Sequence, residues 1–159
     1  MMVKVFISHQ RADSAIAAQI SLHLRTYHQI LSYCDVIDTS ISRGEDLADH
    51  IRSHMGTCTQ LLAVVSPATT NSQWVPWEIG VATEKDFPLA TYSGQSALPP
   101  EFLRKWPYIR TFSELDAYAR ISKETERDFD NKRYRLDEGT ARNQTTKSFY
   151  SQMRTALRQ

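Results

Sequence analysis

Residues 71–82 read NSQWVPWEIGVA, so a single carboxylate, Glu78, sits among Trp74, Val75, Trp77 and Ile79. An acid in that company is either a helix-start device or the working group of a site. Just after Pro76 it falls in the first turn of a helix beginning there, where a negative charge gains roughly 0.3–1 kcal/mol from the helix dipole. Trp74 and Glu78 are four positions apart and therefore share a helical face. A second candidate is Ser8-His9-Gln10-Arg11, where an apolar run gives way to polar residues. A strand-to-helix junction offers backbone N–H groups and a positive dipole end to a phosphate, and Arg11 adds charge; the same four residues serve equally as a polar loop. Asp38, at the end of the second candidate strand, fits a ribose contact and a local turn alike.

The elements that must position these residues follow from periodicity. VKVFIS (3–8) is a short apolar run of β-forming residues, and Ile16, Ile20, Leu24, Tyr27 and Leu31 then recur near helical period, with Asp13 or Ser14 as the cap. SYCDVID (32–38) leads through TSISRGED into a second helix marked by Leu47, Ile51 and Met55. QLLAVVS (60–66) is continuously apolar, as a strand covered on both faces must be. A loop and a helix around Trp77 to Lys85 follow, then candidate strands FPLATY (87–92) and YIRTF (108–112), then SELDAYARISKE, opened by Ser113 as a helix cap. Strands alternating with helices predict a flavodoxin-like three-layer α/β sandwich with a five-stranded parallel sheet. In such sheets ligands lie beyond the carboxyl ends of the strands, which directs attention to residues 8–13, 38–46 and 66–74, Ser66 among them. Residues 129–159 hold no strand pattern; Phe149, Met153, Ala156 and Leu157 predict one closing helix, so the chain divides into a domain over 1–128 and a helical extension over 129–159.

Composition narrows the class. With 159 residues, 41% apolar and 23% charged, the chain can bury one sizeable core. Its longest aliphatic run, Leu61 to Val65, is far below the roughly 20 residues of a membrane span. No secretory signal pattern opens it, so a cytoplasmic protein is expected. Cys34 and Cys58 lack metal or redox spacing and are expected as reduced core thiols. Residues 1–119 carry 9 basic against 12 acidic side chains and residues 120–159 carry 10 against 6. The basic excess of the tail is interleaved with acids, as on a solvated helix, which argues against nucleic acid. A phospho-receiver domain is disfavoured because Ser8-His9 stands where acidic Mg²⁺ ligands are required.

VFISHQRAD, then DVID with SRGEDL, then LLAVVSP, then Ser72 with WVPWEIGVA resemble, in order and spacing, the successive boxes of a TIR (Toll/interleukin-1 receptor) domain over about residues 3–115. The resemblance implies the same flavodoxin-like fold. It also implies cleavage of NAD at the nicotinamide–ribose bond, since many TIR domains use a glutamate in a Trp-x-x-x-Glu pattern, here Trp74 to Glu78. It assigns Glu78 as catalytic and places Ser8, His9, Gln10, Arg11, Asp38, Ser66 and Trp74 at the substrate. TSISRGED resembles the BB loop, which in several members completes a neighbour's site, so Ser42, Arg43 and Gly44 are expected in self-association. NAD is then substrate, with no cofactor or metal. Standalone bacterial proteins of this kind serve in anti-phage defence, by depleting NAD or by making a cyclic ADP-ribose signal for a downstream effector.

The chemistry makes sense of one carboxylate. O-glycosidases need two acids because an alkoxide leaves poorly. Nicotinamide leaves as a neutral ring from a cationic linkage, so one anion that stabilises the oxocarbenium-like transition state suffices. Trp74 beside it would exclude water and pack on the ribose or nicotinamide. Two rivals share the fold: a non-catalytic TIR scaffold, which has no need of the acid at 78, and a nucleoside deoxyribosyltransferase-like enzyme, which turns over nucleosides through a covalent glutamate.

Overall fold

The computed structural model describes residues 2–36, 49, 52–67, 69, 79–83, 85–95 and 98–159. Five strands form one sheet: β1 (Lys4–His9), β2 (Leu31–Val36), β3 (Gln60–Val64), β4 (Leu89–Tyr92) and β5 (Tyr108–Ile109), in the order β2-β1-β3-β4-β5. Every pairing is parallel, with Ser8 opposite Asp35 on one side and Ala63 on the other. After β1 the chain first moves outward to β2 and then returns to β3 on the far side, so the strand order reverses between β1 and β3. This is the flavodoxin-like topology expected from the strand and helix alternation.

Alternation along the strands sends side chains to two cores. Val5, Ile7, Leu62, Val64 and Ala90 face a cluster built with Ile20 and Leu24 of α1 (Ser14–His28), Leu115 and Tyr118 of α2 (Phe112–Lys132), and Phe149 and Met153 of α3 (Glu138–Leu157). Phe6, Leu61, Ala63 and Leu89 face a smaller cluster with Met55, Ile79, Ala82 and Leu103. β3 is buried throughout, which accounts for its unbroken apolar run. α2 runs through residue 128, and Leu157 of α3 joins the same cluster as the strands.

Several local expectations are corrected. Helix α1 ends before Leu31, because Gln29 adopts a left-handed conformation (φ 54°) and its N–H donates back to Leu24 and Arg25 carbonyls. Tyr27 and Leu31 are consequently exposed rather than part of the buried stripe. Asp13 occupies the N-cap position of α1 without capping it. The cap of α2 is Thr111, not Ser113: Thr111 Oγ1 accepts from Glu114 N–H at 3.1 Å, while Glu114 accepts from Arg110 N–H at 3.2 Å. The return bond reaches Arg110, one residue before the N-cap, so the arrangement is a variant of the capping box. Ala156 is exposed, whereas Phe149, Met153 and Leu157 are buried as expected. Cys34 is exposed on edge strand β2 and does not belong to the core, unlike Cys58. Leu47, Ile51 and Trp77 lie outside the described residues.

Candidate functional site

The carboxyl ends of β1 and β3 carry five of the residues singled out by the sequence. Ser8 and His9 close β1 and are buried; Gln10 is half-buried and precedes a 3₁₀ turn, Arg11–Asp13, that leads directly into α1. Asp13 N–H donates to the Gln10 carbonyl at 2.9 Å, and Ser14 Oγ donates to the Arg11 carbonyl at 2.8 Å, so the turn is tied down on both sides of Arg11. Arg11 itself is exposed. Ser66, two residues beyond β3, is fixed by a second turn: its N–H donates to Thr69 Oγ1 at 3.0 Å and its carbonyl accepts from Thr69 N–H at 2.9 Å.

These two loops are joined. Ser66 Oγ donates to Asp13 Oδ2 at 2.8 Å, across the place where the strand order reverses. This explains why Asp13 does not cap α1: its carboxylate is engaged by a residue 53 positions away. Asp13 was the missed member of the site. Its place four residues after His9, in the loop following the first strand, is the sequence signal that could have singled it out for more than capping.

Two clefts open near this edge. One, of about 380 Å³, is lined by Val65, Ser66, Pro67, Ser93, the segment Leu98-Pro99-Pro100 and Arg104. Ser93 follows β4, and its buried hydroxyl has no hydrogen-bond partner among the described residues, which leaves a polar group for a ligand at the cleft. Arg104 is held by donation from Nε to the Pro99 carbonyl at 2.9 Å. The other cleft, of about 410 Å³, runs between α1 and β2 and is lined by His9, Ser14, Ser21, Arg25 and Cys34, among others. His9 and Ser66 therefore line different clefts. Desolvation pushes the thiol of the buried Cys58 up, and also that of Cys34, whose sulfur is partly screened although the residue as a whole is exposed.

The remaining sequence-derived candidates, Asp38, Ser42, Arg43, Gly44, Trp74 and Glu78, lie outside the described residues. Ile79 and Ala82, in the helical segment directly after Glu78, are buried in the smaller core cluster.

A family model described as TIR domain matches residues 5–124. Among solved structures, the TIR domains of the activated Roq1 resistosome directly recognizing the pathogen effector XopQ align over 98% of this chain and 98% of that chain, at 15% identity and a TM-score of 0.44. No curated protein sequence matches. The family model spans most of the chain, including all five strands and both loops at the reversal point, and the chain therefore belongs to the TIR domain family.

Proposed function

We propose that this protein cleaves the bond between nicotinamide and ribose in NAD, with Glu78 as the catalytic carboxylate, in the manner of bacterial anti-phage TIR enzymes. The observation that carries the proposal is the Trp74-x-x-x-Glu78 pattern inside the segment matched by the TIR family model. In the reaction the C1′–N bond breaks with its electron pair going to nicotinamide, which departs neutral. The anionic Glu78 stabilises the positive charge that develops on the ribose by accepting hydrogen bonds from its hydroxyls and by its field. Water then adds to C1′ with loss of a proton to give ADP-ribose, or an adenine nitrogen adds to give a cyclic product that a downstream effector can sense.

The described edge of the sheet supports this reading with polar groups of the right kind. Asp13, Ser66 and Ser93 offer carboxylate and hydroxyl groups around the reversal point, the place where ligands of such sheets bind. A carboxylate such as Asp13 suits ribose hydroxyls, and the amino end of α1 together with Arg11 suits the diphosphate. Residues 39–46, TSISRGED, resemble a loop that completes a neighbour's site, so the active species is proposed to be an assembly of this chain.

Incubation with NAD and identification of products by chromatography and mass tests the proposal. Nicotinamide release by the wild type, lost by two orders of magnitude or more in a folded Glu78→Gln variant, is expected on the scale of removing one transition-state-stabilising group. Unchanged turnover in that variant would overturn the role of Glu78. No turnover of NAD at any protein concentration would favour the scaffold, and turnover of nucleosides in its place would favour the deoxyribosyltransferase. Specific activity is expected to rise with protein concentration and to fall in Arg43→Ala.

A further inference from the structure

Between α1 and α2, two imidazoles converge on one carboxylate. His23 Nε2 lies 2.7 Å and His28 Nε2 2.6 Å from the same oxygen, Asp116 Oδ1. The histidines belong to the last two turns of α1 and the aspartate to the amino-terminal part of α2, so the cluster ties two helices separated by more than eighty residues of chain. We propose that His23, His28 and Asp116 form a zinc-binding site that clamps the carboxyl end of α1 to α2.

The chemistry of the three groups fits that ion. Two neutral imidazole nitrogens and one carboxylate oxygen are an ordinary zinc donor set, with water completing a tetrahedron. All three ligand atoms lie within 4.8 Å of one another. Bonds of 2.0–2.2 Å in tetrahedral array require donor atoms about 3.4 Å apart, so the two histidine–aspartate contacts must open by about 0.7 Å while the two Nε2 atoms, within 4.8 Å of each other, settle at the same spacing. A surface carboxylate can do so by a small χ rotation, and Asp116 is half exposed. The histidines are about one-fifth exposed, which gives the ion an entry path and room for the water.

The rings are held in place independently of Asp116. His23 stacks on Phe112 at 4.9 Å between centroids with 24° between planes, and Tyr27 packs against its other side at 4.8 Å. His28 is the final residue of α1, where the unsatisfied carbonyls of the helix end favour a cation. Lys123 and Arg127 share the groove beside His28 and oppose a cation there, while Glu126 in the same groove is already paired with Arg142. None of the three ligands lines either of the clefts at the carboxyl ends of β1 and β3, so the site does not depend on the proposed NAD chemistry.

Titration of the full chain with zinc chloride in chelator-free buffer, read by calorimetry, tests the site, and cobalt(II) as a spectroscopic substitute reports tetrahedral coordination. The expected result is one ion per chain, a melting temperature that rises with added zinc, and loss of both in Asp116→Asn, His23→Gln and His28→Gln. Removal of one of three protein ligands is expected to weaken binding by more than the roughly 10–100-fold that loss of an outer partner costs. His54→Gln, outside the cluster, should bind as the wild type does. Each of the three cluster variants is separately informative if another fails to fold. Absence of saturable binding to the wild type, or binding unchanged in every folded cluster variant, would overturn the proposal.

Discussion

The helical layer on one face of the sheet and the polar edge at the carboxyl ends of its strands are built on opposite terms. On the layer, Tyr118, Phe129 and Phe149 are wholly buried, and α1, α2 and α3 meet the strands through one continuous apolar cluster. Along the edge, Ser8, His9 and Thr69 are buried polar groups, and the two loops are joined to each other by the Ser66–Asp13 hydrogen bond. Stability is thus concentrated away from the described residues proposed to meet NAD, and the edge can carry groups chosen for chemistry rather than for packing.

The contrast is sharpest in the response to truncation. Phe149 packs edge-on against Tyr118 at 6.2 Å and has no exposed surface. Phe149→Ala is expected to lower the unfolding free energy by about 3–5 kcal/mol, a large part of the roughly 5–15 kcal/mol a domain possesses. Denaturant unfolding checks this, and a loss below 1 kcal/mol would show that the layer is not the stability reserve described. A comparable effect is expected at the one buried ion pair described between α2 and α3. Arg142 Nη1 donates to Glu126 Oε1 at 2.8 Å, and its guanidinium lies over the Phe129 ring at 3.6 Å from the centroid. Arg142→Ala strands a carboxylate whose side chain is only 4% exposed and is expected to cost about 3 kcal/mol. Replacing both partners with leucine should recover most of that loss in the same unfolding assay.

A smaller effect distinguishes the layer by pH. Tyr150 donates to the Phe87 carbonyl at 3.4 Å, and burial pushes its hydroxyl up to about 12. A phenol whose folded value is raised favours the neutral form, so its contribution is complete below the unfolded value near 10 and is lost as pH rises toward 12. Wild-type stability should therefore fall by about 2 kcal/mol more than that of Tyr150→Phe between those limits, as measured by unfolding at each pH. Parallel curves for the two proteins would contradict the assignment.

The two regions also differed in how far the sequence revealed them. β1 and β3 were legible because strands covered on both faces leave continuous apolar runs, and α3 because Phe149, Met153 and Leu157 recur at helical spacing. The end of α1 was not, since a helical-period pattern continues through Tyr27 to Leu31 while the backbone turns left-handed at Gln29, a position that carries no glycine to announce it. Caps were misplaced for a related reason: capping rules weigh neighbours in sequence, whereas Asp13 answers to Ser66 through the tertiary fold. For the candidate site, five residues were placed at the edge by strand topology, and Glu78 with Trp74 is carried by the motif itself.

The smallest predicted change in stability should come with a disproportionate change in function. Ser66 Oγ and Asp13 Oδ2 make a single half-buried hydrogen bond, so Ser66→Ala is expected to cost only about 1 kcal/mol in unfolding free energy. The same substitution frees Asp13 from the one contact described between its carboxylate and β3's loop, and a carboxylate meant to meet ribose hydroxyls then samples several rotamers. Turnover of NAD should fall on the order of 10-fold or more, since small misplacements of positioning groups are costly to rate. Ser66→Thr, which retains a hydroxyl, should restore part of it. If turnover in Ser66→Ala falls no further than the loss of folded protein explains, the bond across the reversal point is a structural tie like those of the helical layer, and the proposed difference between the two regions fails at its most sensitive point.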